Sequence, residues 1–72
     1  MYGRDLEENQ FYILKSSNGL SIEQLVKIDN ELYLKTIKNI TTNWDTGYSV
    51  HISNDREYYI RLMTPLEKIK YL

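Results

Sequence analysis

The chain contains no cysteine and no alanine, and only one proline and three glycines among its 72 residues. Without cysteine there are no disulfides, no thiol nucleophiles and no thiolate-ligated zinc. A chain this short then depends on its core, or on a partner, for stability. Gly3, Gly19 and Gly47 are scattered, so no glycine-rich phosphate loop exists. No apolar run approaches the roughly 20 residues that span a bilayer. The opening Met1-Tyr2-Gly3-Arg4-Asp5-Leu6-Glu7-Glu8 lacks the apolar stretch of a signal peptide, and a cytoplasmic protein is the expectation. On that expectation the sequon Asn39-Ile40-Thr41 is fortuitous.

An excess of charge of either sign is also missing. Nine basic and ten acidic residues leave a net charge of −1. Self-repulsion does not drive such a chain to disorder. The basic excess of a duplex nucleic-acid binder is not there either.

What is present leans towards β structure and towards a particular genome. Eight isoleucines, seven tyrosines, six lysines and six asparagines have A/T-rich codons. The missing alanine and scarce glycine and proline have G/C-rich ones, which points to an AT-rich genome and fits a phage or mobile-element origin. Alanine is also depleted in strands.

Along the chain, residues 1–10 are polar and acidic and read as a flexible N-terminal arm, and residues 11–72 as a single small β-rich domain. Phe11–Ser17 reads as a strand ending at Asn18-Gly19, a strong hairpin signal. A two-residue loop there pairs Ser17 with Leu20 and puts Phe11, Ile13, Leu20, Ile22 and Val26 on one face. Leu20–Ile28 fits a strand or a short helix capped by Ser21, and the flanking hairpin signal favours the strand. Glu31–Ile40 follows as a strand after a three-residue loop, Asp29-Asn30-Glu31. That register gives Val26, Ile28, Leu32 and Leu34 a common face. Residues 41–47 form a polar connector with turn chemistry at Asn43, Asp45 and Gly47.

Tyr48 to Met63 reads as a hairpin turning at Asn54-Asp55-Arg56. Tyr48, Val50 and Ile52 then face the core with Tyr58, Ile60 and Leu62, since strand side chains alternate. Thr64-Pro65-Leu66-Glu67 is a helix start, with Thr64 as N-cap, Pro65 as the first helical residue and Glu67 completing a capping box. Leu66, Ile69 and Leu72 are expected to dock on the sheet. The predicted fold is mainly β: a small antiparallel sheet, or an SH3-like or OB-like partly open barrel, of about five strands with a short C-terminal helix.

No catalytic constellation emerges. His51 is the one histidine, and a lone histidine lacks the partners of a triad or a metal site. The carboxylates fall mainly in turns, at strand ends and in the arm, rather than as a converging acid/base pair. No enzyme activity, cofactor or metal is expected. The candidate binding residues are instead Tyr33, Lys35, His51, Tyr59 and Arg61, on the outer faces of their strands, with Trp44 in its polar connector. Brought together, the five would make an aromatic-basic patch. Such a patch suits stacking of bases and contact with phosphates, an anchor for another protein, or plain cross-strand pairing.

The leading expectation is a small interaction protein that binds another protein and modulates it, for instance as an inhibitor. The alternatives are a small barrel that binds single-stranded nucleic acid, which the charge disfavours, and a self-assembling homodimer built on an open strand edge.

Overall fold

A computed structural model describes residues 1–17, 19–42 and 49–72. Trp44 and Tyr48, with Asn18 and the turn residues Asn43, Asp45 and Gly47, lie outside the described residues. The strands are β1 (Phe11–Ser16), β2 (Gly19–Ile28), β3 (Glu31–Asn39), β4 (Ser49–His51) and β5 (Ile60–Leu62), followed by helix α1 (Pro65–Tyr71). All pairings are antiparallel and form one open sheet in the order β4-β3-β2-β1-β5.

This order corrects the expected hairpin between Tyr48 and Met63. β4 pairs with β3 and β5 pairs with β1, so the two segments occupy opposite edges of the sheet. Alternation determines which side chains share a face; it does not choose the strand that supplies the neighbour. Residues 52–59 cross from one edge to the other instead of turning back. Buried Ile52 and half-buried Tyr58 anchor that crossing, and the Ser53 N–H donates to the Tyr58 hydroxyl at 2.9 Å.

The first two turns also differ in register from expectation. β1 and β2 pair Ser16 with Gly19 and Ile13 with Ile22. The slip relative to the expected register is by an even step, so Phe11, Ile13, Leu20, Ile22 and Val26 keep their common face. Gly19 sits at φ +105°, and a Cβ there would strike the Thr41 side chain, whose hydroxyl accepts from the Leu20 N–H at 3.0 Å. At the next turn the loop has two residues, not three. Asp29 and Asn30 both adopt left-handed backbone (φ 52° and 66°), the geometry that matches strand twist in two-residue hairpins. Ile28 therefore pairs with Glu31 and Leu25 with Leu34. The one-residue change moves Leu32 and Leu34 to the face opposite Val26 and Ile28. The ladder also shifts between Ile22 and Glu23, which leaves Ile37 as the extra residue of a bulge.

The sheet is buried on both faces. On one, Tyr12, Leu25, Leu34 and Ile60 pack with Leu6 and Ile52. On the other, Ile13 and Ile22 pack with Met63, and Phe11, Ile37 and Tyr71 lean against them. In place of a loose arm, residues 1–10 carry a 3-10 turn (Gly3–Asp5) and backbone hydrogen bonds from Gly3 N to Arg56 O (3.0 Å) and from Asn9 N to Leu25 O (2.7 Å). These bonds hold Leu6 against the first cluster.

α1 begins as expected. The Glu67 N–H donates to the Thr64 hydroxyl (3.2 Å) and the Thr64 N–H to the Glu67 carboxylate (3.0 Å). Its apolar side chains do not dock as expected: Leu66 is 78% exposed and Ile69 82%, and Leu72 is exposed as well. Tyr71 is the helix residue packed against the core.

Candidate functional site

The strand order splits the predicted patch into two. Tyr33, Lys35 and His51 stand together on β3 and β4, while Tyr59 and Arg61 lie at the other end of the sheet. Three strand spacings, roughly 14 Å, separate β3 from β5. Trp44 lies outside the described residues.

At the β4 edge, ladder pairing sets Tyr33 directly opposite His51 and Lys35 opposite Ser49. The two rings meet edge to face, with centroids 5.2 Å apart and planes inclined at 68°, a favoured geometry for aromatic pairs. The Tyr33 hydroxyl donates to Glu31 at 3.3 Å, and the same carboxylate oxygen lies 3.7 Å from His51 Nε2. Loss of solvent around the phenol, followed by the negative field of Glu31 and Asp29, pushes the Tyr33 pKa up and keeps the ring neutral. A polar pocket of about 330 Å³ opens beside His51, with Glu31 and Asp55 among its lining residues. The aromatic pair thus has Glu31 against it as well as Lys35 on the next pair of the ladder, where an aromatic-basic patch was expected, and Asp55 is itself ion-paired with Arg4 at 3.8 Å. Glu31 and Asp55 are site residues that the linear pattern concealed. Glu31 joins Tyr33 and His51 because Asp29-Asn30 turns in two residues, and Asp55 arrives with the crossing connector.

At the β5 edge, Tyr59 is 83% exposed. Arg61 is not free to meet an anion: its guanidinium makes two hydrogen bonds to the Glu67 carboxylate, at 2.6 and 2.7 Å. These bonds, with the Thr64 cap, pull the Glu67 pKa down to about 2. An open groove of about 500 Å³ lies alongside, lined by Met1, Ile13, Leu20, Tyr59 and Ile60 with Lys15 and Glu57. Leu62, Leu66, Ile69 and Leu72 are exposed on and beyond the same strand.

Between the edges, in the middle of β2, Glu23 is buried with Ser21. One carboxyl oxygen accepts from the Thr36 hydroxyl (3.0 Å) and the Ser21 hydroxyl (3.3 Å), and the other has no partner. Burial pushes this carboxyl pKa up against the opposing pull of the two hydroxyls.

Among the described residues, no group of three or more His, Asp or Glu side chains is placed to hold a metal ion. No helix among them is long and apolar enough to cross a membrane. No family model, curated protein or solved structure matches the chain.

Proposed function

We propose that the chain is a small interaction protein that binds another protein and modulates it, with no chemistry of its own. The observation that carries this reading is the β4 edge. A three-residue strand, exposed at every position, ends the sheet there beside the interlocked rings of Tyr33 and His51. An open edge offers a partner main-chain hydrogen bonds, and a rigid aromatic pair beside it offers a contact at low entropic cost. The reading of the sheet as SH3-like suits this role, because its fifth strand returns to the first and leaves β4 with no neighbour among the described strands on its outer side. The AT-rich composition suits a phage or mobile-element inhibitor acting in the cytoplasm. Glu31 and Asp29 beside the aromatic pair favour a protein partner with basic groups over the phosphates of single-stranded nucleic acid.

The test is capture from a lysate of the native host, with nuclease and moderate salt. A stoichiometric protein should be retained by the wild type and lost with the double variant Tyr33→Ala/His51→Ala, whose circular dichroism stays unchanged. Nucleic acid that leaves as salt rises would replace this reading with the nucleic-acid one.

A further inference from the structure

A second feature concerns the opposite edge and stands apart from the β4 proposal. α1 has seven residues, too few for a helix to persist without packing, yet its own sheet covers little of it beyond Tyr71. It is held by its cap and by Arg61–Glu67, and it presents Leu66 and Ile69 to solvent. Beside it, β5 is the last strand of the sheet. Antiparallel bonding alternates sides along a strand. The carbonyl of Tyr59 accepts from Lys15 and the N–H of Met63 donates to Phe11, so these residues and Arg61 point inwards to β1. The backbone groups of Ile60 and Leu62 point outwards. One position before them, Tyr58 is paired with Met1 in both directions, and after Leu62 the Thr64 N–H turns back to Glu67. Among the described residues the open edge is therefore two residues long, with two donors and two acceptors.

We infer that this edge pairs with the same edge of a second copy of the chain, and that α1 of each copy lies over the groove of the other. A two-fold axis at Arg61 sets Ile60 of one copy against Leu62 of its partner. All four outward groups on each strand are then satisfied, with none left over. The pairing is self-complementary, as a closed two-fold contact requires. It also sets α1, which Arg61–Glu67 and Tyr71 hold against its own sheet, beside the partner's positions 57–59. Leu66, Ile69 and Leu72 then meet Met1, Tyr59 and the apolar wall of Ile13 and Leu20. The charges agree as well: Lys68 and Lys70 on the helix approach Glu57, while Lys15 stands one strand further in. The exposed apolar side chains amount to several hundred Å² per copy. With the strand edge and the helix flanks, this approaches the roughly 800 Å² that each partner contributes to a standard interface.

One consequence is specific to this geometry. The two Arg61 side chains face each other across the axis, where like charges repel. Each arrives already paired with its own Glu67.

Sedimentation equilibrium of the purified chain from about 1 μM to about 500 μM tests the inference, because a dimer is populated by mass action. Twice the monomer mass is expected at the upper end. Leu66→Asp/Ile69→Asp, altering two largely exposed positions, should remain monomeric with an unchanged circular dichroism spectrum. Glu67→Gln should weaken the dimer by roughly tenfold, and added salt should recover it by screening the bare guanidinium groups. A monomer mass throughout, an assembly larger than two, or a dimer indifferent to the Leu66/Ile69 substitutions would overturn the inference. None of these outcomes bears on the capture experiment at the β4 edge.

Discussion

The two edges of this sheet are both three-residue strands, yet they are finished in different ways. At the β4 edge the side chains satisfy one another. Tyr33 and His51 interlock, Glu31 serves both, and the connector adds a polar pocket lined by Asp55. At the β5 edge one ion pair is satisfied. Arg61 and Glu67 are closed on each other, while Tyr59, Leu66 and Ile69 are left in water. The first edge is a shaped polar surface with one rigid aromatic contact. The second is a largely apolar surface on which Arg61 and Glu67 are closed on each other, beside Lys15, Glu57 and the outward backbone groups of Ile60 and Leu62. The difference suggests two kinds of contact, one selective and one driven by burial.

The comparison depends on a core common to both edges, and removing that core should have the largest effect. Leu25 is fully buried in the cluster that also anchors Ile52, just after β4, and Ile60 on β5. Leu25→Ala should cost about 2–5 kcal/mol in chemical denaturation. It should speed amide exchange alike at Ile52, whose N–H donates to Leu32, and at Met63, whose N–H donates to Phe11. Protection retained at one edge alone would show that the edges are stabilised independently.

A smaller change should separate them. Gly3 packs so closely on the backbone of Ser53 and Asn54 that an added Cβ would collide with it, and backbone cannot yield as a side-chain tip can. Gly3→Ala should cost about 1–3 kcal/mol and loosen the pairing of residues 1–3 with 56–58, with faster exchange at Tyr58, bonded to Met1, than at Ile52, bonded to Leu32. Equal acceleration at both positions would mean that the arm braces the whole sheet.

The smallest effect should come from the centre. The Glu23 carboxyl has a raised pKa in the folded chain, so the folded state holds the proton more tightly than the unfolded one. The resulting stability is complete below the unfolded pKa, near 4.5, and is lost as pH rises through the higher folded value. Glu23→Gln should remove that slope and leave the protein more stable at neutral pH by on the order of 1 kcal/mol. Urea midpoints measured across the acidic range would show it. A wild-type stability that does not change across that window would refute this account of the carboxyl.

How far the sequence foretold this arrangement depends on which kind of signal carried each element. Turn chemistry is local, so Asn18-Gly19 marked the reversal from β1 to β2, Asp29-Asn30 the turn from β2 to β3, and Thr64 to Glu67 the helix start. Exact register was less visible. Two or three residues at Asp29-Asn30 differ only in backbone handedness, and that single step decided which face Leu32 and Leu34 would take. The Tyr48–Met63 hairpin failed because an alternating segment satisfies any antiparallel neighbour equally well. The arm was opaque because its attachment combines backbone hydrogen bonds with the single buried side chain of Leu6, too little to make an apolar pattern. Both candidate surfaces were partly legible: the residue types at Tyr33, His51, Tyr59 and Arg61 were apparent, and their division between two edges was not. The exposure of Leu66 and Ile69 was hidden because an amphipathic helix has the same spacing whether its partner is its own sheet or another molecule.

The pairing of the last strand with the first also sets an order in time. β1, β2 and β3 are joined by tight turns, and their contacts lie close along the chain, so they form quickly. β5 must return from residue 61 to residue 13, a long loop whose closure is entropically slower. During synthesis the three-stranded meander emerges well before Ile60 does. Throughout that interval the β1 edge is unpaired and Met63 is missing from the second cluster. The interval ends when Ile60–Leu62 pairs with β1, and until then the nascent chain is open to edge-to-edge aggregation.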